Sequence, residues 1–160
     1  MKKLAYSLLA SLLITTSAHA ADDGKLNQHV VGAFVGVTDS DYSNETAYGL
    51  EYEYRFNKAW GIGGVWEKTP DGHNDGHGHK EDISVKVISA YWHKDYFRLG
   101  LGVGKEKVHG EHSHTEDLIR ASAAYDFHLT PNLGIAPSVA VDRIDGNNVY
   151  VYGAAITYAF

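Results

Sequence analysis

From Gln28 onward the chain alternates apolar and polar positions with period two rather than with the spacing of a helix. The clearest stretch runs from Tyr48 to Phe56. One face carries Tyr48, Leu50, Tyr52, Tyr54 and Phe56; the other carries Gly49, Glu51, Glu53 and Arg55. Successive side chains of a strand point to opposite sides, so this is a strand with one apolar and one polar face. Seven further segments share the pattern: 28–38, 59–68, 82–94, 96–106, 117–129, 132–142 and 147–160. Short turns at Asn57-Lys58, Lys94-Asp95 and Thr130-Pro131-Asn132 alternate with longer connections at 39–45, 69–81, 107–116 and 143–146. That rhythm predicts an all-β fold, an eight-stranded antiparallel up-and-down barrel with its short turns at one end and its long loops at the other. Closure leaves no exposed sheet edge.

Residue size decides which face looks outward. Eight strands enclose a lumen just wide enough for side chains, so the inner face must be small or tightly paired. Segment 96–106 sets Phe97, Leu99, Leu101 and Val103 against Arg98, Gly100, Gly102 and Gly104. Segment 132–142 sets Leu133, Ile135, Val139 and Val141 against Gly134, Ala136, Ser138, Ala140 and Asp142. Water gives no reason for a glycine and alanine face, whereas a crowded lumen does. The large residues therefore face lipid, and the barrel is transmembrane. Aromatic residues point the same way: Phe56, Trp60, Tyr91, Phe127, Tyr158 and Phe160 gather toward the short turns, and Tyr48, Trp66 and Tyr150 toward the long loops. Two segments divide less cleanly. In 28–38, Val30 and Phe34 oppose Val31, Val35 and Val37; in 82–94, the charge on Lys86 places that residue inward and Val85, Val87 and Tyr91 outward.

Composition narrows the setting. Met1-Lys2-Lys3, an apolar run from Leu4 to Ile14 and Ala18-His19-Ala20 form an export signal over 1–20, leaving 21–160 as the barrel domain. The absence of cysteine excludes a disulfide framework and thiolate metal sites, and the net charge of −6 argues against a nucleic-acid partner.

The chain resembles the small eight-stranded outer-membrane proteins of Gram-negative bacteria, the OmpX, opacity-protein and OmpA-barrel type. The resemblance spans 21–160, and its most specific element is the terminal Phe160 preceded at alternate positions by Tyr158, Ile156, Ala154 and Tyr152. It implies a cell outer membrane location, outer-membrane lipid around the wall, delivery through the barrel assembly machinery by way of Phe160, periplasmic short turns and extracellular long loops.

Two groups of residues carry candidate chemistry. The inward charges form two layers: Glu67, Lys86, Arg120 and Asp142 toward the outside, and Glu53, Arg55, Arg98 and Asp126 toward the periplasm. Buried charges need partners, so these read as an ion-pair plug in preference to a gated ion path. The second group is histidine. The connections around 69–81 and 107–116 contain His73, His77, His79, His109, His112 and His114, and both contain the string His-x-His-x-Glu-Asp, from His77 to Asp82 and from His112 to Asp117. Imidazoles with nearby carboxylates suit zinc, copper or nickel, and His77, His79, His112 and His114 provide a four-ligand set. A solvated polar loop and a pH-responsive loop are the alternatives. No Ser–His–carboxylate set suggests an enzyme. The function expected is an outer-membrane barrel whose histidine-rich loops bind a divalent transition metal such as zinc, with no cofactor required for the fold. The alternative is a structural or adhesive surface protein of the OmpX kind.

Overall fold

The computed structural model describes residues 26–40, 44–74, 80–110 and 113–160, so the export-signal reading of 1–20 lies outside the described residues. The strands are β1 (His29–Asp39), β2 (Asn44–Arg55), β3 (Trp60–Asn74), β4 (Lys80–Lys94), β5 (Phe97–His109), β6 (His114–Tyr125), β7 (Phe127–His128), β8 (Leu133–Ile144) and β9 (Asn147–Ala159). Each pairs antiparallel with its neighbour. β6 and β7 make a single stave, because Ala124↔Ser138 and Phe127↔Ile135 keep one register across Asp126. β1 pairs with β9 from Val30↔Ala159 to Asp39↔Tyr150, which closes an eight-stave barrel. At the seam, His29 and Phe160 exchange backbone hydrogen bonds of 3.0 and 2.8 Å.

The wall follows the size rule. Leu50, Leu101, Val103, Val139 and Ile156 point outward and are 58–65% exposed, the arrangement of a lipid-facing band. Inside, small residues make room for large ones. The β1 parity left open in the sequence resolves with Val30 and Phe34 buried and Val31 and Val35 outside. The Phe34 ring fits because its neighbours are glycines: a Cβ on Gly153 would lie 2.8 Å from Phe34 Cε2 and 2.5 Å from Gly36 Cα.

Three sequence expectations change. Lys86 faces outward and is exposed, while Val85, Val87 and Tyr91 are buried and Ile88 and Trp92 are outside. Tyr91 accordingly leaves the aromatic girdle at the short-turn end, and Trp92 joins it. The strands also run past the ends expected for β3, β5 and β6, to Asn74, to His109 and from His114. Finally, 143–146 is no long loop. It contains the two-residue turn Asp145-Gly146, with both residues at positive φ (43° and 85°), the backbone that Asp-Gly hairpins favour.

The first two corrections share a cause. Above the lipid band the period-two pattern continues, but its polarity inverts. Val85, Val87, Leu118 and Ile144 form a buried cluster inside the upper barrel, with Ile83 and Val149 packed on it. At the same height Lys105, Lys107, Asp117 and Arg143 are exposed on the outside. The wall is apolar-out where it meets lipid and charged-out where it meets water, with an apolar cluster behind the charged stretch, as the surrounding solvent demands. Lys86 sits at the crossover. Its cross-strand partners Trp66 and Lys105 are both outward, so its side must be outward too.

Candidate functional site

The outer lumen layer centres on Arg120, which β6 delivers to the barrel axis opposite Glu67 from β3 and Asp142 from β8. Its Nη1 and Nη2 donate to the two Glu67 carboxylate oxygens at 2.8 and 2.7 Å. Nε and Nη2 donate to the two Asp142 oxygens, both at 2.6 Å. Both carboxylates thus receive a two-pronged grip, the geometry a planar guanidinium provides and an ammonium does not. Lys86, expected in this layer, is outside on the wall.

The periplasmic layer is broader. Arg98 donates to Glu51 at 3.3 Å and to Glu53 at 3.5 Å, and its guanidinium lies over the Tyr91 ring at 5.3 Å. Arg55 bridges Glu53 (3.6 Å) and Asp126 (3.5 Å). His93 Nε2 contacts Glu53 Oε1 at 2.5 Å. His93 and Tyr91 were missed by sequence reasoning because both share the β4 parity that the charge on Lys86 had reversed; the signal was their common spacing with Ser89 and Val87. Between the layers remains a cavity of about 40 Å³ touching Glu51, Glu67, Arg98 and Arg120. That is room for a water or two.

Above the lipid band, Glu106 and Glu116 face each other across β5 and β6 on the inner side. Burial, reinforced by the negative charges of Asp142 and Glu116 and opposed by His114, pushes the Glu106 carboxyl up to about 7. On the outer side Lys68 donates to Asp82 at 2.7 Å, which holds that carboxyl below its usual range.

The histidines distribute unevenly. His109 is exposed, opposite Asp82 in register, with its Nε2 2.8 Å from the Ser84 hydroxyl. His114 lies 3.7 Å from Glu116. His73 belongs to β3, opposite Glu81. His77, His79 and His112 lie outside the described residues, and among the described residues no three histidine or carboxylate groups converge as a metal site.

No family model matches the chain. It is 25% identical over 177 residues to the attachment invasion locus protein of Yersinia pseudotuberculosis serotype I, covering 99% of this chain and 97% of that protein. Among solved structures it is similar to Ail, the attachment invasion locus protein of Yersinia pestis, in complex with the heparin analogue sucrose octasulfate. That match has a TM-score of 0.55 and 22% identity, over 82% of this chain and 96% of that one. Neisserial surface protein A matches with a TM-score of 0.55 at 12% identity, over 82% and 96% of the two chains. The N-terminal β-barrel domain of Pseudomonas aeruginosa OprF matches with a TM-score of 0.55 at 13% identity, over 83% and 98%. The lipid-facing wall, the closed lumen and these likenesses define the class: a small eight-stranded β-barrel of the Gram-negative outer membrane. Within that class, the chain is similar in sequence, over 99% of its length, to an attachment invasion locus protein.

Two outcomes follow for unfolding in lipid vesicles. Arg120→Gln strands Glu67 and Asp142 and is expected to cost about 3–5 kcal/mol, whereas Lys86→Gln on the outer wall costs under about 0.5 kcal/mol. Equal costs would return Lys86 to the lumen. The second concerns pH. An unfolded Glu106 releases its proton near 4.5 and the folded one near 7. The native state therefore loses stability as pH rises between those values, the full loss being reached above them. Glu106→Gln should match wild type at pH 4 and exceed it by about 1–2 kcal/mol at pH 8, read from urea midpoints at both pH values.

Proposed function

We propose that this protein is a surface attachment protein whose working part is the raised extracellular side of the barrel. The observation that carries the reading is the uneven height of the wall. β3 and β4 pair up to Asn74↔Lys80, and β4 and β5 up to Asp82↔His109, well above the apolar band. Across the barrel, β8 and β9 end at the two-residue Asp145-Gly146 turn. A one-sided sheet standing in water, braced at its base by Val85 and Leu118 packed with Ile144 of β8, is a rigid platform for contact with another surface. Arg120 and its two carboxylates occupy the lumen, which favours a working surface outside the barrel over a passage through it. The likeness to an attachment invasion locus protein supports the same reading.

The test is adhesion. A non-adherent Gram-negative host making the wild-type barrel should bind cultured epithelial cells several-fold more than the empty host. Replacing 73–80 and 109–114 by two-residue turns should remove the gain while the barrel still shows heat-modifiable gel mobility. Adhesion unchanged by either manipulation rejects the proposal.

Metal capture is a second reading. It is favoured by the sequence, which carries His-x-His-x-Glu-Asp twice, from His77 to Asp82 and from His112 to Asp117, and by the register that sets Asp82 opposite His109. Zinc titration of refolded protein should show micromolar binding that disappears when His77, His79, His112 and His114 are replaced by Ala; equal weak binding by both proteins removes this reading.

A further inference from the structure

Of the three prolines, Pro131 lies in a turn and Pro70 where the β3–β4 register shifts between Thr69 and His73, places where a strand tolerates a missing donor. Pro137 differs. It stands inside β8 on the lipid side, between Ile135 and Val139, and pairs with Ala154 of β9. On its other flank it meets Tyr125. The Asp126 N–H donates to the Tyr96 carbonyl at 2.8 Å, so the backbone polar groups of Asp126 face β5 and those of Tyr125 and Phe127 face β8. Tyr125 and Pro137 therefore meet where two strands exchange both hydrogen bonds, and proline has no N–H to give. That missing bond splits one stave into β6 and β7 at Asp126. Hydrocarbon supplies no substitute donor.

Beyond the gap the stave is held on one side. β7 pairs with β8 through Phe127↔Ile135 and His128↔Gly134, whereas the β5 ladder stops at Phe97↔Tyr125. Toward β5 there is a ring contact, Tyr96 and His128 at 5.9 Å, in place of a ladder. β8, by contrast, is tied to β9 down to its end, where Asn132 and Ala159 are joined by bonds of 2.6 and 2.7 Å. The inner side at this level is lightly packed. The small Ala124 and Ala136 lie beside the gap, and Asp126 reaches Arg55 at 3.5 Å, against 2.6–2.8 Å in the outer layer. Among the described residues the buried Arg55 Nε makes no hydrogen bond.

We propose that Phe127–Pro131 is a flap, hinged at Asp126 and freed by Pro137, which opens at the short-turn end and admits water to Arg55 and Asp126 while the wall above Ala124↔Ser138 stays shut. Water reaching the guanidinium gives its Nε an acceptor, so opening exchanges a short one-sided ladder for a hydrated charge.

With the barrel refolded in phosphocholine micelles, amide hydrogen exchange is read residue by residue by NMR. Phe127 and Ile135 should exchange about tenfold faster than Phe56, which sits at another short turn with its N–H on the Trp60 carbonyl at 2.9 Å. Pro137→Val restores the donor; it should slow Phe127 and Ile135 about tenfold and leave Ala123 and Val139, just above the gap, unchanged. Pro137→Thr serves if Pro137→Val fails to regain its folded gel mobility. The chain has no cysteine, so water access is read separately with a soluble maleimide. Asp126→Cys should react several-fold faster than Asp126→Cys/Pro137→Val, and Ala124→Cys, above the hinge, should stay unreactive. Three results overturn the proposal: exchange at Phe127 and Ile135 no faster than at Phe56, exchange there unaltered by the residue at 137, or equal labelling of Asp126→Cys and Ala124→Cys, which would mean that the lower lumen opens as a whole.

Discussion

The narrowness of an eight-stave barrel governs this molecule. Closing so few strands leaves an interior that side chains must fill completely, so every inward position is either small or engaged. Phe34 is admitted only because Gly36 and Gly153 lie under its ring. Arg120 is admitted only because Glu67 and Asp142 take its Nε, Nη1 and Nη2 donors. A guanidinium buried on these terms fills the centre of the lumen together with its two partners. The outer face answers to other constraints.

Two solvents act on that outside. Along one strand, β5, Leu99, Leu101 and Val103 face lipid while Lys105 and Lys107 face water, with no change in parity. The inner face answers with Gly100 and Gly102 at the lower level and Val108 at the upper. The hydrophobic effect thus operates in opposite senses at the two ends of one continuous sheet. The upper end is stabilised as a small water-soluble protein would be, which lets a hairpin such as β3–β4 stand clear of the membrane.

Much of this was legible in the residues. The Tyr48–Phe56 alternation has only one reading, and the glycine rows opposite Leu99 and Leu101 point to lipid without further help. The same rule failed on β4, because it assumed that charge belongs inside throughout. Lys86 lies where that assumption expires, and one misplaced lysine carries Val85, Val87 and Tyr91 with it. Residue spacing gives parity, but the level at which polarity reverses is set by the height of the membrane, which no single strand records. The turn at 143–146 has its signal in Asp145-Gly146, which the alternation of short and long connections hides. The histidine strings are plain in the sequence, yet their spacing says nothing about where two flexible tips meet.

The seam between β1 and β9 bears on how the chain reaches this state. Its pairings, from Val30↔Ala159 onward, join the most distant parts of the described chain, whereas every other stave meets its sequence neighbour. Hairpins can therefore form early and locally, but the ring cannot shut until its last stave is in place. Until that moment Arg120, Arg98 and their carboxylates line an open trough rather than a dry interior. The costly burial of charge is thereby deferred to a single late step, in which partners lock together as the wall completes.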